Sequence, residues 1–326
     1  MIALMPERRL LAPALLAVSA VALAGCATTS DEAAGDEAFQ IVASTSVYAS
    51  LAEQLVGDAA QVTAVIDSPT QDPHSYEATA RDQLAVDGAD IAILNGGGYD
   101  SFMEELVEAA GTEHVLEVVE YSHAYPADGE AEEEHDHSDE EEDAHEGHDH
   151  IEGFNEHVWY DPDAVEHFVE ALATELEELL PDAADDISAN AEALVADVEG
   201  LNDRLAEVAS AHEGETVFFT EPVGGYLAEA AGLDDVTTEG FAEAVEEGQD
   251  VAPATLLAAI ESIEGGEVDV LVTNTQTAGA ESTRVIETAE AAGVPVVEYG
   301  ETLPDGDTYV SWMTANIDAL ETALAG

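Results

Sequence analysis

Four side chains far apart in the sequence have the types and settings to hold a divalent cation: His74, His157, Glu221 and Glu301. His74 lies in the run Asp72-Pro73-His74-Ser75-Tyr76-Glu77, and His157 in Asn155-Glu156-His157-Val158-Trp159-Tyr160-Asp161-Pro162. Glu221 follows an apolar run at residues 216–220, and Glu301 follows another at residues 294–299. Two imidazoles are borderline nitrogen donors, and two carboxylates cancel the charge of a dication. Such a set suits zinc, manganese or iron. Singly, each is a weak sign. A histidine beside a proline is usually a turn or core residue, and among 74 acids most glutamates are solvated surface.

These residues need a scaffold that brings distant loops together, and the hydrophobic pattern supplies one. Strands are expected at residues 39–44, 62–66, 90–94 and 115–119, with helices at 47–56, 82–87 and 100–110 between them. A second series has strands at 216–220, 234–237, 268–273 and 294–299, with helices at 225–231, 253–264, 281–292 and 308–325. Strands alternating with helices imply βαβ units and parallel sheets. In open α/β sheets, ligands gather at the carboxyl ends of strands, where loops from separate units converge.

Between the two series, residues 163–180 are amphipathic, and Pro181 sits where a new helix should start. Ile187, Ala191, Leu194, Val198, Leu201, Leu205 and Val208 then alternate spacings of four and three, one helix face running to about residue 211. About 30 helical residues reach roughly 45 Å, enough to run along two lobes. A coiled-coil oligomer is the rival reading, but the position between βα units favours a connecting helix. The expected fold is therefore α/β, with two lobes, each a parallel sheet with flanking helices, joined by a long rigid backbone helix. The lobes are placed at residues 39–162 and 213–326, with the connecting helices at 163–212.

Charge excludes whole classes of partner. Five arginines and no lysine face 74 acids, for a formal net charge of −69. Nucleic acid and anionic ligands are excluded as natural partners. The even spread of acid along the chain favours adaptation to high salt, although a surface that attracts cations is the other reading. Residues 127–153 differ in kind: His135, His137, His145, His148 and His150 stand among acids with no apolar face. Incidental histidines in a disordered acidic run would explain this, but their density favours auxiliary metal capture by a mobile loop.

Residues 1–25 read as a processing segment, with Arg8 and Arg9 before an apolar stretch too short to span a bilayer comfortably. Leu23-Ala24-Gly25-Cys26 resembles a lipobox, with Cys26 lipidated and residues 26–38 serving as a tether to the outer face of the membrane. With Cys26 the only cysteine, disulfides and thiolate metal sites are excluded.

Together these segments resemble the solute-binding proteins of zinc and manganese ABC importers, the cluster A-I or family 9 group. The His74 run resembles that group's first ligand motif, and His157-Val158-Trp159-Tyr160-Asp161-Pro162 its second. Phe218-Phe219-Thr220-Glu221-Pro222-Val223-Gly224-Gly225-Tyr226-Leu227 resembles the third, with Glu221 where many zinc members carry histidine, and Glu301 falls where an aspartate is common. The resemblance implies a monomer that encloses one Zn2+ or Mn2+ between its lobes and serves an ABC permease and its ATPase. Zinc is favoured by affinity order and manganese comes next. Two other readings stay in view: a zinc hydrolase using His74, His157 and Glu221 with water in the fourth position, and a metal-buffering surface adhesin. The chain has no HExxH, no G-x-S-x-G and no separate general base, so no enzyme is expected. Asn274-Thr275-Gln276-Thr277 could hydrogen-bond a ligand carboxylate or be plain loop, while Trp159 and Tyr160 read as packing.

Overall fold

Aliphatic and β-branched runs build two sheets of the same design. The computed structural model describes residues 38–126, 151, 153–277 and 279–326. Cys26 and the loop histidines His135, His137, His145, His148 and His150 lie outside them. The first lobe holds β1 (Gln40–Thr45), α1 (Ser46–Val56), β2 (Gln61–Ile66), α2 (Ala80–Val86), β3 (Ile91–Leu94), α3 (Ser101–Ala110) and β4 (Val115–Glu117). Next come α4 (Pro162–Leu179) and α5 (Ala184–His212). The second lobe holds β5 (Thr216–Phe219), α6 (Gly225–Ala230), β6 (Asp234–Asp235), α7 (Phe241–Glu246), α8 (Pro253–Gly265), β7 (Val270–Asn274), α9 (Ala280–Ala292), β8 (Val296–Tyr299) and α10 (Tyr309–Leu324).

Strand order is β2-β1-β3-β4 in one sheet and β6-β5-β7-β8 in the other, and every pairing is parallel. The expected α/β architecture is the one found. In both sheets the first strand lies inside and its successor at the edge, so the carboxyl ends of each set of strands open toward loops that can share a site.

The backbone helix carries the expected face. Ile187, Ala191, Leu194, Val198, Leu201, Leu205 and Val208 of α5 are all buried. Its 29 residues span about 44 Å, and it packs on α1 and α4 as well as α6 and α10. One continuous core cluster therefore includes Ile41 and Leu51 of the first lobe, Leu201 of α5, and Val272 and Met313 of the second. Residues 38–326 form one compact unit. Among the described residues no helix is long and apolar enough to cross a membrane.

Departures from the sequence reading are local and have local causes. The helix expected to begin at Pro181 begins at Ala184, after a turn at residues 181–183; Leu180 before the proline leaves helical backbone, at φ −120° and ψ 60°, and ends α4 there. The last strand of the first sheet stops at Glu117 and becomes a 3-10 turn over Val118–Tyr121, which keeps Val118 and Val119 buried. Edge strand β6 ends after two residues, where Asp235 Oδ1 accepts a 2.8 Å bond from the Thr237 amide and turns the chain away. Helix α7 is absent from the sequence reading.

Candidate metal centre

The first histidine is set by its own turn. His74 stands in the loop between β2 and α2, where its amide donates to Asp72 Oδ1 at 2.9 Å. Its ring lies edge-on to Tyr99, with centroids 4.9 Å apart. The second histidine precedes the 3-10 turn Val158–Tyr160 that leads into α4. His157 Nδ1 lies 2.8 Å from Asn155 Oδ1, and the orientation of that amide is set by its Nδ2, which donates to the Pro222 carbonyl at 3.1 Å. A carbonyl oxygen only accepts, so Nδ1 of His157 carries the proton. Nε2 is then left as the donor nitrogen, the arrangement expected of a metal-binding imidazole. Trp159 lies edge-on to the His157 ring and is 1% exposed, a packing residue as expected.

The second lobe brings the acids. Glu301 follows β8, is fully buried, and places Oε2 3.4 Å from His74 Nε2. His74, His157 and Glu301 each offer a ligand atom within 4.8 Å of the others. Three of the four expected residues thus converge in the crevice between the sheets. Glu221, after β5, lies in the same crevice but outside that group. Its Oε2 accepts from Asn274 Nδ2 at 2.7 Å and its Oε1 from the Thr277 hydroxyl. The other hydrogen of Asn274 goes to Glu301 Oε1 at 2.6 Å. Of the two readings of the segment after β7, the role of hydrogen-bonding the site carboxylates is the one found.

Two further acids stand here that sequence reasoning gave no role, Glu156 and Glu246. With His74 they form a second group whose ligand atoms lie within 4.8 Å of one another. Glu246 Oε1 also lies 3.6 Å from His157 Nε2. The pattern Phe241, Ala244, Val245 between Gly240 and Gly248 marks one short amphipathic turn, the signal that could have located α7. Which of its glutamates points inward was not legible.

These groups perturb one another strongly. Burial alone would lower the His74 pKa, but Glu301, with Glu246 and Glu156, reverses this and lifts it to about 10. Burial would raise Glu301, yet His74, with His157 and Asn274, brings it down to about 2. Burial and the neighbouring Glu156 push Glu246 up to about 9, and burial also raises Glu221. No lysine exists to offset this charge. Arg204 pairs with Asp318 and Glu321, Arg284 with Glu287, and Arg81 lies on α2. Buried carboxylates need a cation or a proton. Without an ion, His74 carries that proton; the same arrangement would welcome a dication.

Access runs past His74. A groove of about 1160 Å³, lined by His74, Glu77, Glu104, Glu108 and Tyr125, leads to it, while His157 and Glu301 are completely buried. The lobes meet closely around the site. Gln276 Nε2 donates to the Gln71 carbonyl at 2.8 Å, and the Tyr160 hydroxyl donates to the Gly300 carbonyl at 2.7 Å.

A crevice between two parallel α/β lobes, lined by histidines and acids, defines a cation-binding protein of the two-lobed kind. The family model described as ZnuA, zinc-uptake complex component A periplasmic, matches residues 41–323, and the chain belongs to that family. Its members are components of uptake complexes and not enzymes. The chain is 28% identical over 178 residues to the manganese-binding lipoprotein MntA of Halalkalibacterium halodurans, covering 54% of this chain and 52% of that one. It thus spans about half the length of the curated relatives it matches. A crystal structure of ZnuA superposes with TM-score 0.67 at 21% identity, over 88% of this chain and 100% of the other. The periplasmic zinc binding protein TroA from Treponema pallidum gives 0.68 at 20%, over 87% and 98%. At such identities these likenesses establish the fold.

Proposed function

We propose that this protein captures one divalent transition-metal ion in the crevice and delivers it, without chemistry, to the permease of an ABC importer. His74, His157 and Glu301 hold the ion, and Glu221 adds its charge from the frame built by Asn274 and Thr277. The observation that carries the reading is the meeting of two imidazoles and a carboxylate, all buried, from loops up to 227 residues apart, counting from His74 to Glu301. Zinc is the favoured cargo and manganese the next. Imidazole–carboxylate sites bind zinc more tightly than manganese by affinity order, and the family is described by zinc uptake, while the MntA relative is named for manganese.

Release without large lobe motion fits the shared core along α5 and the hydrogen bonds that cross the crevice. Lipidation at Cys26 would keep the protein at the outer face of the membrane, where an importer collects its cargo, and a monomer suffices for one site. The histidines at 135, 137, 145, 148 and 150 would act as a weaker collecting station. Elemental analysis of protein purified in molar salt without added metal, followed by competitive titration of zinc against manganese, tests the reading. One equivalent of zinc, displaced only by large excesses of manganese, is expected. Protein that neither retains nor binds either ion would refute it.

A further inference from the structure

The turn after β3 puts one aromatic side chain against both histidines of the site. Gly96, Gly97 and Gly98 take φ values of 79°, 67° and 89°, a run that residues bearing a Cβ rarely adopt. Buried Asp100 closes the turn, accepting from the Asn95 amide at 2.7 Å and the Gly96 amide at 2.9 Å. Asn95 Nδ2 donates to the Glu156 carbonyl at 2.9 Å, which ties the turn to the segment carrying His157. Tyr99, 1% exposed, is held there. Its ring centroid lies 4.9 Å from that of His74, 5.9 Å from that of His157 and 4.7 Å from that of Trp159.

Packing accounts for the ring but not for the hydroxyl. Among the described residues the Tyr99 hydroxyl has no well-directed acceptor, and Glu301 Oε2 has no well-directed donor. His74 Nε2 stands 3.4 Å from that oxygen, longer than an ordinary hydrogen bond. A buried hydroxyl and a buried carboxylate oxygen are both costly when left so. The two groups act on each other: burial first, and then the charge of Glu301, raise the Tyr99 pKa well above its ordinary value. A phenol that keeps its proton can serve a carboxylate only as donor. The other oxygen, Oε1, already accepts from Asn274 Nδ2 at 2.6 Å.

Taking the capture of a divalent cation in this crevice as given, we propose that Tyr99 is a positioning residue that sets the preference among metal ions, its hydroxyl donating to Glu301 Oε2. With a donor on each oxygen, Asn274 on Oε1 and Tyr99 on Oε2, the carboxylate gives the ion one oxygen and cannot swing to offer both. One oxygen per carboxylate suits the four-coordinate shell of zinc, whereas manganese favours a larger shell rich in oxygen. Tyr99 thus favours zinc without touching it.

The test uses the full chain in molar salt, with Zn2+ and Mn2+ each titrated against a chromogenic chelator, for the parent, Tyr99→Phe and His74→Ala. Tyr99→Phe keeps the ring and loses only the hydroxyl, and circular dichroism melts confirm folding. It should weaken zinc binding by about tenfold or more and manganese binding by less, narrowing the preference. In a crystal structure of the parent with Zn2+, which needs no variant, the Tyr99 hydroxyl should lie about 2.5–2.7 Å from Glu301 Oε2. Equal losses for the two ions, as a purely structural role would give, overturn the inference. If Tyr99→Phe binds zinc like the parent while His74→Ala loses it, the inference fails and the capture site stands. If His74→Ala also binds like the parent, both fail.

Discussion

Glu221 and Glu301 are tied together by one side chain: Asn274 at the end of β7 donates one amide hydrogen to each, at 2.7 and 2.6 Å. Its Oδ1 in turn accepts from the Gln276 amide at 3.0 Å, which fixes the orientation of the whole group. Two buried acids thus share one amide that donates to each, and their mutual repulsion is reduced. Replacing Asn274 by Ala should leave both without that donor. Zinc affinity is then expected to fall by about 10–100-fold with the fold retained, read by competition titration alongside a thermal melt. An unchanged affinity would mean that the amide does not position the acids for binding.

Acid–base behaviour gives a second prediction. In the ion-free crevice burial would lower the His74 pKa, but the neighbouring Glu301 lifts it to about 10. At neutral pH that imidazole holds a proton, whereas a metal ion requires it neutral. Ion binding must therefore release protons, and affinity must increase as pH rises from 6 toward 9. The expected gain is about tenfold per pH unit for each proton displaced. Addition of zinc to weakly buffered protein should acidify the solution measurably. A flat affinity across that range would show that His74 is already neutral when the ion arrives.

Gly224 gives a third. It adopts φ 83°, and a Cβ placed there would lie 2.3 Å from Cδ2 of the buried Tyr299 ring. Tyr299 ends β8, two residues before Glu301. Gly224→Ala should therefore destabilise the protein by on the order of 1–3 kcal/mol and weaken metal binding by displacing Glu301. Chemical denaturation and titration of the same sample measure both effects.

Removing residues 127–150 separates a transporter component from a metal buffer. One tight equivalent should survive, and only weak additional binding should be lost, as isothermal calorimetry would record. Loss of the tight equivalent would place the working site in that segment.

Much of this was legible in the residues. Period-3.6 spacing identified the α5 face from Ile187 to Val208, because a helix buried along one side must repeat that way. Short apolar runs located all eight strands to within two residues at each end; β4 and β6 each stop two residues early, β6 because Asp235 turns the chain out with its own side chain. His74 and His157 stood out by their settings, in Asp72-Pro73-His74-Ser75-Tyr76-Glu77 and in His157-Val158-Trp159-Tyr160-Asp161-Pro162. Glu246 could not stand out among 74 acids. Its burial depends on Phe241 docking under β5, a contact between elements that no local pattern encodes. The different settings of Glu221 and Glu301 were equally hidden, since they arise from Asn274 and Thr277, more than 50 residues beyond Glu221.

The most direct measurement is the zinc stoichiometry and affinity of His157→Ala beside the parent at high salt. His157 is fully buried, its Nδ1 is committed to Asn155, and its Nε2 faces the acids of the crevice. One equivalent should bind tightly to the parent, and the variant should lose at least about a hundredfold in affinity. A variant that binds zinc as the parent does would contradict capture between the lobes.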